Sequence, residues 1–294
     1  MTDSSAAGKP GFIPQLYAAA KKNNSLVCVG LDPELEKLPA HIRALPQAIF
    51  EFNRRIVDAT AEYACCFKPQ FAHFAALGAE DQLLATIRYI HEKHPGLPVI
   101  LDSKRGDIGS TAAKYAQESF ERYGADSVTV NPYLGFDSVE PYLKWKDRGV
   151  IILCRTSNPG ARDFQDLESG GKRLYRHVAE RVARDWNAGG NCMLVIGATY
   201  PQELAEIRAV VGDLPFLVPG VGAQGGDVAA AVRAGRTADG FGMVLNSSRG
   251  IIYASSGEDF AEAARIAART LRDEINLYRF GNPDKAPTEG SEAR

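Results

Sequence analysis

Short apolar runs rich in β-branched residues recur along the chain, separated by longer amphipathic stretches. Runs of this length and composition predict strands buried on both faces, and the stretches between them predict crossover helices. The predicted strands cover residues 26–31, 64–68, 99–103, 127–131, 150–155, 193–197, 216–219 and 240–244. Apolar residues at three- and four-residue spacing predict helices over 80–93, 110–123, 174–188 and 201–211.

Eight such alternations suit either a closed (β/α)8 barrel or a large open doubly wound sheet, and periodicity alone does not separate the two. Polar groups that follow the apolar runs add information: Asp32, Lys68, Asp102 with Lys104, Asn131, Ser157, Thr199 and Gln224. In a barrel these would converge on the rim formed by the C-terminal strand ends, where the catalytic groups of this fold sit. Two connections are long, 32–47 and 158–171, and the second is rich in Gly, Asp and Arg. It reads equally as a loop closing over a substrate and as a solvated insertion.

Composition narrows the class. The chain has 294 residues, 45% hydrophobic and 24% charged, with a formal net charge of -2. That describes a globular domain without the broad cationic surface that binding to nucleic acid or anionic membrane calls for. One barrel domain over 1–281 and a polar C-terminal tail over 282–294 account for the length. Five cysteines, Cys28, Cys65, Cys66, Cys154 and Cys192, read as reduced core residues. No run approaches the ~20 apolar residues of a membrane span, and the N-terminal MTDSSAAGKPG lacks a signal peptide's apolar stretch, so the expectation is a cytoplasmic protein.

The densest chemistry lies in LDSKRGDIGST, residues 101–111, where a buried strand ends in Asp102, Lys104 and Asp107. Asp102 and Lys104 are two apart, which on a strand places both side chains on one face. Taken alone, the cluster reads equally as a strand-end ion pair followed by an acidic helix start. His91 and His94, three apart with no Cys or carboxylate pattern joining them, read as surface histidines. No glycine-rich dinucleotide fingerprint follows the first strand, which runs into LDPE.

Asp-x-Lys-x-x-Asp-Ile at the end of the third predicted strand resembles the signature of the orotidine 5′-phosphate decarboxylases. The resemblance extends in order through GLDP (Asp32), CFKPQ (Lys68), TSN (Ser157), VIGATYP (Thr199), VPGVGAQGGD (Gln224) and LNSSRG (Arg249). Several weak motifs in the right order are far more specific than any one. Length, the Arg105-Gly106 pair and the two long loops resemble the longer-chain, type 2 branch.

The resemblance implies a single TIM barrel that converts orotidine 5′-monophosphate to uridine 5′-monophosphate with neither metal nor organic cofactor. It implies an alternating array of Lys68, Asp102, Lys104 and Asp107, with Lys104 protonating C6. It implies ribose contacts from Asp32, Lys68 and Thr111, a pyrimidine contact from Ser157, and phosphate contacts from Gln224 and Arg249 with backbone N-H groups around Gly222 and Gly250. It further implies a homodimer in which Asp107, Ile108 and Thr111 enter the neighbouring site, Asp107 and Thr111 being spaced to share a helix face. Other readings compete with it: a metal-dependent barrel enzyme acting on a sugar phosphate, a Schiff-base aldolase using Lys104 or Lys68, and a silent nucleotide binder. The first needs an added metal-ligating carboxylate, the second a lysine of depressed pKa, which flanking aspartates oppose. Arg105 and Arg155 are left outside the site, as braces or surface charges.

Overall fold

The computed structural model describes residues 10–221 and 226–280. Its main sheet runs through β1 (Val27–Leu31), β2 (Cys66–Pro69), β3 (Ile100–Arg105), β4 (Ser127–Val130), β5 (Gly149–Arg155), β6 (Cys192–Ile196), β7 (Phe216–Pro219) and β8 (Met243–Ser247). Neighbours pair in parallel in the order β2-β1-β8-β7-β6-β5-β4-β3. The ends of that order meet through parallel bridges joining Phe67 to Val99 and Gln70 to Asp102, which makes the sheet a nearly closed barrel. An open doubly wound sheet is thereby ruled out.

Seven strands lie within two residues of their predicted positions, whereas the eighth lies three residues further on than 240–244. The reason is local. Gly240 and Gly242 have φ of 80° and 77°, so this segment turns rather than extends. The strand begins at Met243 and carries polar Asn246 and Ser247 at its end, where an apolar pattern gives no signal.

Eight main helices accompany the strands among the described residues: α1 (Phe12–Lys22), α2 (Ala48–Thr60), α3 (Glu80–Lys93), α4 (Gly109–Gln117), α5 (Leu174–Arg181), α6 (Pro201–Val211), α7 (Val228–Gly235) and α8 (Phe260–Arg279). α3 and α6 match their predicted spans. α4 and α5 are shorter than predicted because their last turns widen into π-helical turns, Glu118–Arg122 and Val182–Trp186. The segment 282–294, expected as a tail, lies outside the described residues.

α1 closes the N-terminal end of the barrel. Phe12 is buried against Gly149, the first residue of β5, and its N-H donates to the Asp147 carbonyl at 3.0 Å. His91 and His94 are not simply surface groups, as their spacing suggested. His91 Nε2 lies 2.8 Å from Asp126 Oδ2, which also accepts the Val99 N-H at 2.8 Å, and His94 Nε2 lies 3.0 Å from Asp58 Oδ1. Asp126 is buried beside the start of β4, so His91 ties α3 to the barrel base.

A Cβ at Gly149 would lie 2.1 Å from Phe12 Cδ1. Gly149→Ala is therefore expected to destabilise the fold by about 1–3 kcal/mol, the usual cost of overpacking. Thermal unfolding would register a fall of several degrees for a domain of this size, and Phe12→Leu in the same chain is expected to recover part of it.

Candidate active site

The C-terminal strand ends surround a cavity of about 510 Å³. Asp32, Lys68, Asp102, Lys104, Ser157 and Arg249 all line it, arriving from five different strand ends. Residues far apart in sequence thus converge because parallel strands of a barrel all end on one rim.

Opposite charges alternate along the cavity floor. Lys68 Nζ lies 3.0 Å from Asp102 Oδ2 and 3.9 Å from Asp32 Oδ1, and Lys104 Nζ lies 2.7 Å from Asp102 Oδ1. Lys68 and Asp102 are only 4% and 6% exposed, so neither charge is held by bulk water. Burial opposes the charge on Lys68, but the Asp102 and Asp32 carboxylates outweigh it and hold the ammonium above the usual lysine range. Burial likewise opposes the charge on Asp102, and the two ammonium groups outweigh it and hold the carboxyl below the usual carboxylate range. Lys68 and Asp102 keep each other ionised.

β3 does not present this array by simple strand alternation. Its ladder with β4 pairs Leu101 with Val128 and then Arg105 with Val130, so Asp102, Ser103 and Lys104 bulge from the register. Lys104 has φ of 47°, uncommon for a residue with a side chain. Its side chain is 45% exposed while that of Asp102 is 9% exposed, so the ammonium reaches Asp102 from the open side of the cavity. The Thr129 hydroxyl fills the gap in the ladder: it accepts the Ser103 and Lys104 N-H groups at 3.1 and 2.9 Å and donates to Asp102 Oδ1 at 2.8 Å.

The long loop after β5 forms part of the cavity wall. It folds as a 3-10 turn, Pro159–Asp163, followed by a two-stranded hairpin of Glu168–Ser169 with Lys172–Arg173. Gln165 accepts the Thr156 N-H at 2.8 Å and donates to Thr156 Oγ1 at 2.9 Å. Arg155 is fully buried, 4.2 Å over the Tyr200 ring and 3.4 Å from Asp166. Arg105 lies between the rings of Phe71 and Tyr115 and pairs with Glu118 at 2.7 Å. Both arginines brace the rim rather than decorate the surface.

Asp107, Ile108 and Thr111 do not line the cavity. Asp107 precedes α4, which starts at Gly109, so its spacing from Thr111 is not a relation along one helix face. Its Oδ1 accepts the Ile108 N-H at 2.8 Å, and Ile108 is 52% exposed. Within one chain the alternating groups are therefore Asp32, Lys68, Asp102 and Lys104. Gln224 and Gly222 lie outside the described residues. Thr199 stands after β6 with a buried, unpaired hydroxyl among the described residues and does not line the cavity. Sequence reasoning missed Thr129, Thr156, Gln165 and Asn246 of the cavity lining. Thr129 sits between two valines and reads as strand filler.

An open-mouthed charged cavity at the C-terminal rim of a (β/α)8 barrel defines the chain as a barrel enzyme by layout. A model of the orotidine 5′-phosphate decarboxylase / HUMPS family matches residues 25–265, and the chain belongs to that family. Relatives named orotidine 5′-phosphate decarboxylase from Azoarcus sp. (strain BH72) and Dechloromonas aromatica (strain RCB) are each 62% identical over 268 residues, covering 91% of this chain and 99% of theirs. Among solved structures, Leishmania donovani OMP decarboxylase aligns with a TM-score of 0.80 at 41% identity, covering 92% of this chain and 100% of that one. Leishmania donovani UMP synthase aligns at 0.82 and 42% identity, covering 93% of this chain and 57% of that one.

The opposed shifts set a stability window. The lowered Asp102 pKa contributes stability above the unfolded value near ~4, lost as pH falls, and the raised Lys68 pKa contributes stability below the unfolded value near ~10.4, lost as pH rises. The urea midpoint is expected to drop between pH 5 and 2.5 in the wild type and to drop less in Lys68→Met, which removes one cause of the Asp102 shift. Lys68→Met is expected to be less stable at pH 7 by about 3–5 kcal/mol, the usual cost of breaking a buried pair.

Proposed function

We propose that this chain decarboxylates orotidine 5′-monophosphate to uridine 5′-monophosphate and carbon dioxide, the last step of de novo synthesis of that nucleotide. The observation that carries the reading is the Lys68–Asp102–Lys104 alternation, its Lys68–Asp102 pair buried and Lys104 facing the opening, on the floor of a nucleotide-sized cavity. Family membership and relatives of that name at 62% identity support it.

The chemistry asks for such an array. When the carboxylate leaves C6 of a pyrimidine, no adjacent carbonyl or imine delocalises the electron pair, so the site itself must stabilise a carbanion-like species. Asp102, held ionised by its two lysines, lies against the departing carboxylate. Lys104, on the open side of Asp102, stabilises the developing charge and then delivers its proton to C6. The C6–carboxylate bond breaks, its electron pair stays on C6, and the lysine proton forms the new C–H bond. A Schiff-base role for Lys68 is disfavoured, because its raised pKa holds it as the ammonium.

Asp32 and Lys68 hold the ribose, and Ser157, lining the cavity just after β5, meets the pyrimidine edge. Arg249 and the backbone after β8 meet the phosphate, together with Gln224 and the Gly222 backbone. An arginine fork suits a dianion because it donates two parallel hydrogen bonds. Two copies of the chain associate, and Asp107, Ile108 and Thr111 of each complete the other's site. In support, Ile108, Tyr133, Leu134, Phe136 and Phe164 are exposed apolar side chains, and the Tyr133 and Phe164 rings lie 6.4 Å apart. The compartment is the cytoplasm: the five cysteines are free and buried, and burial pushes the Cys192 thiol up to about 12. Among the described residues no helix is long and apolar enough to cross a membrane.

The test is the absorbance change of orotidine 5′-monophosphate on adding protein, with and without a strong chelator. Chelator-insensitive turnover is expected, falling by about 10²–10⁴-fold or more in Lys104→Ala, the usual range for a positioned acid. An inactive or metal-dependent wild type would favour the silent-binder or sugar-phosphate readings. Because phosphate contacts made far from C6 help organise the floor, the bare nucleoside is expected to lose kcat as well as affinity. Equal kcat for nucleoside and nucleotide would contradict that coupling.

A further inference from the structure

β3 and β4 part company where the charged floor is made. Between the paired residues Leu101–Val128 and Arg105–Val130, β3 spends three residues and β4 only Thr129. The N-H groups of Ser103 and Lys104 therefore lose the carbonyl partners that a regular ladder would supply, and a partly desolvated N-H without an acceptor is costly. Lys104 adds a backbone cost: a non-glycine residue at positive φ carries strain, which only surrounding contacts can hold. One hydroxyl answers all of this. Thr129 Oγ1 takes both N-H groups, at 3.1 and 2.9 Å, and gives its own proton to Asp102 Oδ1 at 2.8 Å.

We infer that Thr129 is a positioning residue for the decarboxylation, fixing at once the direction of the Asp102 carboxylate and the left-handed turn that aims Lys104. The role rests on the decarboxylase reading of the site. Its geometry is saturated: a hydroxyl has one proton to give and two lone pairs, and here all three are used. Oδ1 of Asp102 is also the oxygen bound by Lys104, and Oδ2 is bound by Lys68. With the hydroxyl proton on Oδ1, the carboxylate cannot rotate about its Cβ–Cγ bond without breaking bonds on both oxygens. Thr129 itself is 1% exposed, on a strand paired on both sides. Positioning of this kind favours the transition state over the ground state, because nucleotide affinity comes largely from phosphate and ribose contacts elsewhere.

Thr129→Val keeps the branched shape and removes the hydroxyl, and Thr129→Ser keeps the hydroxyl. In the valine variant kcat is expected to fall by about 10–100-fold, as for misplacement of a catalytic group, while KM and the affinity for uridine 5′-monophosphate change by less than about threefold, RT ln 3 being roughly 0.65 kcal/mol. Thr129→Ser is expected to recover most of kcat. If the valine variant does not fold, Thr129→Ala, which leaves room for a water, takes its place with the same split expected. Folded variants that retain wild-type kcat, or that lose product affinity in step with kcat, overturn the inference. A serine variant no better than valine does so too. Failure of the wild type to turn over orotidine 5′-monophosphate overturns the decarboxylase reading instead, so the two failures are separable.

Discussion

A buried lysine and aspartate, with a second lysine reaching them from the open side, meet at the mouth of the barrel, and much of the rest of the rim serves to keep them there. A buried ammonium or carboxylate is costly by several kcal/mol unless an opposite charge lies within a few ångströms. Lys68 and Asp102 meet that condition through each other, and Lys104 and Asp32 extend it on either side. The arrangement holds both carboxylate and ammonium charged across the neutral pH range. On the proposed reading it would also supply what decarboxylation at an undelocalised carbon lacks, a fixed positive charge beside the atom that becomes negative.

The barrel makes the cluster possible because strands β1, β2 and β3, distant in sequence, end on one rim. Around that rim the structure departs from regularity in a patterned way. β3 bulges at Asp102–Lys104, Thr129 repairs the interrupted ladder, and the loop after β5 is pinned by Arg155 and Gln165. The opposite end is regular and tightly packed, with α1 plugging the base through Phe12 against Gly149. Irregular backbone on the functional rim and dense packing at the base divide the work of chemistry and stability.

Much of this was legible in the sequence. Seven strands announced themselves because strands buried on both faces are near-continuous apolar runs. The eighth was misplaced because its functional end is polar and its start is marked by two turning glycines. Lys68, Asp102 and Lys104 stood out as charges at the ends of apolar runs. The bulge did not, since a shift of register is a relation between two strands and leaves no periodic trace in either. Thr129 was invisible for the same reason, and His91 was misread because its partner Asp126 lies on another element. The grouping of Asp107 with Thr111 on one helix face failed at a boundary, because the helix starts after Asp107.

On the proposed reading the charge on Asp102, and not merely its shape, organises the floor and drives the reaction. Asp102→Asn tests it most directly, since the amide keeps the size and removes the charge that holds Lys68 and Lys104. With the wild type as reference and circular dichroism verifying the fold, kcat on orotidine 5′-monophosphate is predicted to fall by about 10²-fold or more, the scale of losing one preorganised electrostatic contact. A folded asparagine variant with unchanged kcat would contradict the account.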